Sequence, residues 1–226
     1  MANNGFSAPV NYWGSISGLT PKTSNDGKTS QTAEAVNSYG DVVAHDEYGE
    51  VLAPSTEYAV TGTVNLSDIV LGSVHTLGEK SLMLTNLTIT TQAGSSPTVT
   101  ISGVEVESGA TAARTYALTG TLTPRSKAQD VCGAFTVSEN FTSITTTASV
   151  NSQIATVTGT PVASDAANGR IEVNVTMTDP TGAATITAAT GGGFTITTAA
   201  ATSNPDADYV THTATATKYL AGTEAA

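Results

Sequence analysis

Charge is what this sequence is most short of. Only 12% of its 226 residues are Asp, Glu, Lys or Arg, about half the usual quarter. Lys and Arg number 8 against 19 for Asp plus Glu, a formal net charge of −11. So few cations exclude a surface that grips nucleic acid through its phosphates, because such binding needs clustered Lys and Arg to displace counterions. Cys132 is the single cysteine, so no disulfide can form within the chain and the fold must stand on its core. No run of 18 apolar residues is present to span a membrane. The opening MANNGFSAPVNYWG has neither the cationic nor the apolar segment of a secretory signal. The expectation is a chain made and folded in a cytoplasm.

The motifs of catalysis are missing as well. There is no Gly-x-Ser-x-Gly elbow, no His-Glu-x-x-His, no phosphate loop and no dinucleotide fingerprint. His45, His75 and His212 are far apart in sequence, and Cys132 sits two positions from Asp130, an acid that raises a thiol's pKa and leaves it inert. The acids Asp46, Glu47 and Glu50 near His45 fit no ligand spacing and read as a solvated loop. Asp206-Ala207-Asp208 lacks the further oxygens and central glycine of a calcium loop, and reads as a turn. The sequence therefore predicts no enzyme, no metal and no cofactor.

What is present is alternation. Leu82 to Glu107, LMLTNLTITTQAGSSPTVTISGVEVE, sets apolar residues against Thr, Ser or Glu on both sides of a Gly-Ser-Ser-Pro turn, the pattern of a β-hairpin. Val99 and Ile101 share one face while Thr98, Thr100 and Ser102 take the other. The alternation slips at Gly103, which predicts a bulge at that glycine. Further strands are expected over Gln153 to Thr158, Arg170 to Thr178 and Tyr209 to Leu220, with a turn at Asp179-Pro180-Thr181-Gly182. About ten short strands at this spacing predict an all-β fold, a β-sandwich or a β-barrel.

Residues 1–55 differ, with scattered aromatics followed by PKTSNDGKTSQTAEAVNSYGDV. They read as a polar, extended N-terminal arm, and residues 56–226 as a Thr-rich β-domain. The other reading of the arm is a disordered tail, but Phe6, Tyr12 and Trp13 favour a segment that docks. These three are the expected assembly contacts, because aromatics are enriched at buried interfaces; the alternative is that they pack on their own subunit. Within the β-domain, Glu57-Tyr58-Ala59-Val60-Thr61-Gly62-Thr63-Val64 is echoed by Thr115-Tyr116-Ala117-Leu118-Thr119-Gly120-Thr121-Leu122. Each copy is followed by a stretch with room for a short helix, Ser67 to Val74 and Arg125 to Phe135, and then by Ile89-Thr90-Thr91 or Ile144-Thr145-Thr146. A shorter third copy leads to Ile196-Thr197-Thr198. The pattern suggests internal duplication, although Ile-Thr-Thr recurs easily in so Thr-rich a chain.

Gatekeeping Lys and Pro residues are too few to blunt every strand edge, so neighbouring copies or the arm are expected to cover them. The predicted state is a homo-oligomer. Gly40-Asp41-Val42 in a polar leader, the run Ile89-Thr90-Thr91-Gln92-Ala93-Gly94-Ser95-Ser96-Pro97-Thr98-Val99, and the ending Asn204-Pro205-Asp206-Ala207-Asp208-Tyr209 together resemble tailed-phage virion proteins, most of all tail tube subunits. The resemblance spans about residues 20 to 220 and is one of layout. It implies a virion protein whose β-protomers close into rings, usually hexameric, with sheets joined around an acidic lumen. It also implies loops or arms that contact the ring above, and other virion proteins as partners. A negative bore repels phosphates and lets DNA pass without specific binding. Tube subunits usually carry a long insertion hairpin for ring stacking, and no stretch is assigned to it here. The alternatives are a capsid decoration or accessory protein, and an immunoglobulin-like adhesion or carbohydrate-binding module, which calls for a cluster of exposed aromatics.

Overall fold

The computed structural model describes residues 9–36, 42–110, 114–137, 141–157, 160–180, 184–203 and 209–224. Side chains are described for all of these except 28–36, 42–50, 137, 153–157 and 160–164. Strands follow one another almost without interruption: β1 (Leu19–Val36), β2 (Val42–Val60), β3 (Val64–Asn65), β4 (Val70–Leu71), β5 (Val74–Leu77), β6 (Lys80–Gln92), β7 (Ser95–Val106) and β8 (Arg114–Ala117). Then come β9 (Thr121–Leu122), β10 (Phe135–Val137), β11 (Phe141–Val157), β12 (Thr160–Asp179), β13 (Ile186–Ala188), β14 (Thr195–Ser203), β15 (Val210–Tyr219) and β16 (Thr223–Glu224). The fold is all-β. Neither stretch with room for a helix forms one; the only helical turn among the described residues is a 3₁₀ turn at Leu66–Asp68. No helix there is long and apolar enough to cross a membrane.

A nine-stranded antiparallel sheet runs in the order β1-β2-β7-β6-β11-β12-β15-β14, with β5 also paired to β6. Its ends, β1 and β14, are not bonded to each other, so the sheet is open rather than closed as a barrel. Three small sheets, β3-β9, β16-β8-β4 and β10-β13, complete a sandwich. Val64, Leu66, Ile69, Leu71, Leu118 and Leu122 from this second layer share a core with Leu82, Leu84, Leu87, Ile89, Val99 and Ile101 of the large sheet, all at 2% exposure or less. Alternation does the sorting: along β7, Val99 and Ile101 are buried while Thr98, Thr100 and Ser102 face partly outward, as the pleat requires.

The central hairpin, β6–β7, differs from expectation in two details. Its reversal is two residues, Ala93-Gly94, with Gly94 at φ 82, and Ser95 already pairs with Gln92. The bulge lies on the partner strand, where the register jumps from Leu84↔Gly103 to Asn86↔Ser102 and leaves Thr85 over. Gly103 is small for another reason, since a Cβ there would collide with the Trp13 ring and the Met83 carbonyl. The matching segments meet only in part: Tyr58 pairs with Pro21 and Val99, and Tyr116 with Leu71. Val64 lies opposite Leu122, while Ile89, Thr90 and Thr91 lie opposite Thr146, Thr145 and Ile144.

Two hairpins outrun the sheet. Between Ser55 and the turn, β2 pairs with β1 alone, through Asn25↔Ser55 to Val36↔Val42; at about 3.3 Å per residue this ribbon is about 40 Å long. Strand β11 leaves β6 at Ser149, β12 leaves β15 at Arg170, and the two continue paired to Val157↔Thr160. A register shift after Ser149 and a left-handed Asn168, φ 56, mark the departure. Both ribbons point to the same end of the sheet, away from the Ala93-Gly94 turn. The expected division of the chain at residue 55 thus falls inside β2.

Candidate assembly surfaces

The segment before β1 is stitched to its own chain. Val10 N donates to Ser24 Oγ at 3.0 Å, Thr56 Oγ1 to the Val10 carbonyl at 3.3 Å, and Tyr58 Oη to Asn11 Oδ1 at 2.7 Å. Trp13 is 2% exposed, donates from Nε1 to the Ile101 carbonyl at 3.1 Å and stands edge-on to His75 at 5.8 Å. Tyr12 is 5% exposed. Both aromatics therefore pack within their own subunit, the alternative raised by the sequence, while Phe6 lies outside the described residues. Burial pushes the Tyr58 hydroxyl up to about 12, although its hydrogen bond with Thr56 works the other way. Burial also lowers the pKa of His75.

The two outer strands of the large sheet are built differently. Near its start β1 carries Pro21, which has no N–H to offer an incoming strand. Beside it, Lys22 reaches Glu57 Oε1 at 2.8 Å, and the register breaks between Pro21 and Thr23. Strand β14, TITTAAATS, contains no Pro and no charge. Among the described residues it pairs with β15 on one side and with no strand on the other. Apart from half-buried Ile196, every residue of it is exposed. A long, uncharged, unpaired edge is a template for another strand.

The ribbon of β1 and β2 is distinguished by its acids. Residues 30–50 contain Glu34, Asp41, Asp46, Glu47 and Glu50 and neither Lys nor Arg. In register, Glu34 lies opposite His45, and Thr32 opposite Glu47. The β11–β12 ribbon carries one charged residue between 151 and 167, Asp165, along with Ile154, Val157 and Val162. At the base of the acidic ribbon, Glu105 accepts the Leu52 N–H at 3.1 Å and pairs with Lys80 at 2.9 Å, anchoring β2 beyond its last pairing with β7. At the opposite end of the sheet, Arg125 and Lys127 are exposed on the β9–β10 connection, close to the Gly94 turn through the hydrogen bond from Gly94 N to the Ser126 carbonyl at 3.0 Å.

The groups with reactive potential do not converge. Burial, and next Asp130, push the Cys132 thiol up to about 12 despite the opposing charge of Lys218, so the nucleophilic thiolate is scarce at ordinary pH. His75 Nε2 is occupied with Ser73 Oγ at 3.1 Å. Asp179 is fully buried, accepts the Ala184 N–H at 2.6 Å and lies 3.6 Å from His212 Nε2. The side chains of His45, Asp46, Glu47 and Glu50, and the turn at residues 204–208, lie outside the description. The surfaces that stand out are thus an open strand edge and a pair of protruding ribbons. Comparison with protein-family models and with curated proteins finds no match for the chain.

Proposed function

We propose that this protein is a phage virion structural protein, a tail tube subunit that assembles into stacked rings around an acidic DNA channel. The observation that carries the reading is the β1–β2 ribbon. The tube resemblance calls for a long hairpin that reaches a neighbouring ring, and here two strands of 18 and 19 residues pair only with each other over their outer part. A second ribbon leaves the same end of the sheet, giving the subunit the head and tail that stacking needs. The bare edge of β14 supports lateral contact, since edge pairing with another copy satisfies its unpaired N–H and C=O groups. The net charge of −11 has the sign that lets DNA slide. No catalytic role, cofactor or membrane belongs to this reading, and the protein's place is the virion.

Electron microscopy of the purified protein, with light scattering for mass, tests it. Rings or tubes with an open bore are the expected result. A monodisperse monomer at high concentration overturns the reading and moves the weight to a capsid decoration protein or an adhesion module. Replacing residues 30–50 by a two-residue turn gives the sharper form: single rings should persist while tubes are lost.

A further inference from the structure

A cleft of about 400 Å³ opens where β8, β12, β15 and β16 meet. Tyr219 stands on its rim with 74% of its surface exposed, the most exposed large apolar side chain among the described residues. Arg114 and Glu224 line the cleft, joined by an ion pair at 3.0 Å. Asn168 lines the cleft from a left-handed backbone, the only non-glycine residue so placed among those described. Tyr116 forms the floor, 3% exposed, with Oη donating to the Ala166 carbonyl at 3.4 Å. Two glycines let Tyr116 and Arg114 lie directly against the backbone. A Cβ on Gly169 would collide with the Tyr116 ring, and one on Gly222 would lie 2.6 Å from Arg114 Cδ.

These features narrow the ligand. Glu224 neutralises Arg114, so the cleft has no excess positive charge to draw a phosphate or a carboxylate. Leu220 is the only aliphatic wall, which leaves no apolar hole for a hydrocarbon. What remains are planar polar side chains beside an exposed aromatic ring: Arg114, Glu224 and Asn168, all lining the cleft. Vicinal hydroxyls both donate and accept and suit such planar groups, while the C–H face of a sugar ring packs on tyrosine. We propose that this cleft binds a neutral saccharide, with Tyr219 as the stacking platform and Arg114, Glu224 and Asn168 as the hydroxyl-binding groups. The site is complete within one chain and uses neither β14 nor the acidic ribbon, so it stands or falls apart from the tube reading.

The test is a nuclear magnetic resonance titration of the full chain with neutral mono- and disaccharides of glucose, galactose, mannose and N-acetylglucosamine, each to about 50 mM, where millimolar affinity is visible. At least one should shift Tyr219 and Arg114 resonances saturably. Tyr219→Ala should weaken that binding about tenfold or more, and Tyr219→Phe, which keeps the ring, should stay within about twofold. Glu224→Gln should weaken it without altering the thermal midpoint. The proposal is overturned if no sugar in the set shifts these residues. It is equally overturned if Tyr219→Ala binds as well as the unaltered protein, or if inorganic phosphate produces the same shifts and displaces the sugar.

Discussion

The two ends of the large sheet handle the same problem in opposite ways. At the β1 end, the segment before the strand folds back and plants Trp13 between Ile101 and Gly103, while Pro21 and the Lys22–Glu57 pair blunt the edge itself. At the β14 end, one half-buried isoleucine packs against the core, three consecutive alanines face solvent, and no charge guards the edge. The first arrangement makes a finished surface, the second an open edge. Substitutions at the two ends should therefore differ in their cost to the fold, large at the first and small at the second.

The largest effect is expected at the finished end. Trp13→Ala empties a fully packed site and removes the hydrogen bond to the Ile101 carbonyl, for a loss of about 3–5 kcal/mol. Urea unfolding followed by circular dichroism measures it, because Trp13 is the only tryptophan and the variant has no fluorescence probe. Ala200→Ser on β14 should lie within about 0.5 kcal/mol of the unaltered protein, as exposed substitutions usually do. Comparable losses at the two positions would erase the contrast.

Alkaline pH should act on the buried groups rather than on the exposed edge. Tyr58, on β2, rises from 10.0 to about 12, and Cys132, beside the core, from 9.0 to about 12. Both stay protonated in the fold while the unfolded chain ionises, so the folded state holds more protons in that window. Their contribution to stability is complete below pH 9 and is lost as the pH climbs through 12. Tyr58→Phe should flatten the fall above pH 10 and leave the part that begins near 9. Thermal midpoints between pH 8 and 12 for both proteins show whether it does, and parallel curves would remove Tyr58 from the account.

How much of this was legible in the sequence depended on whether burial left an apolar rhythm. The β6–β7 hairpin was plain because Leu87, Ile89, Val99 and Ile101 alternate with threonines and the core lies on one side. The β1–β2 ribbon was hidden because a strand pair beyond the sheet needs no apolar face: TSNDGKTSQTAEAV reads as a polar arm, and only its register with β2 makes it a strand. Strand β14 escaped because three alanines carry little β propensity, although Ile196-Thr197-Thr198 within it had drawn notice. Gly103 was recognised as special for the wrong cause. A glycine in a strand marks either a bulge or a close approach, and the approaching group, Trp13, lies 90 positions earlier in the sequence, where no local pattern connects them. The repeated segments were visible, but that the two Ile-Thr-Thr stretches lie side by side is a property of the sheet alone. The saccharide cleft left no signal, because its residues come from four strands.

The smallest expected effect on the isolated fold is the most informative about β14. Ala200 is exposed and pairs only with Thr213 of β15, so Ala200→Lys removes no core contact and should shift stability by no more than about 0.5 kcal/mol. An added lysine on an edge strand nevertheless opposes pairing with another chain, since the ammonium must be desolvated or displaced for a second strand to dock. If the edge is where copies join, the variant sediments as a folded monomer or small oligomer under conditions in which the unaltered protein forms rings. Placing the same charge at Thr20 of β1, beside Pro21, should leave the rings intact, because that stretch of edge is already blunted. Rings that survive Ala200→Lys and fail with Thr20→Lys would reverse the assignment of the two edges while leaving the fold as described.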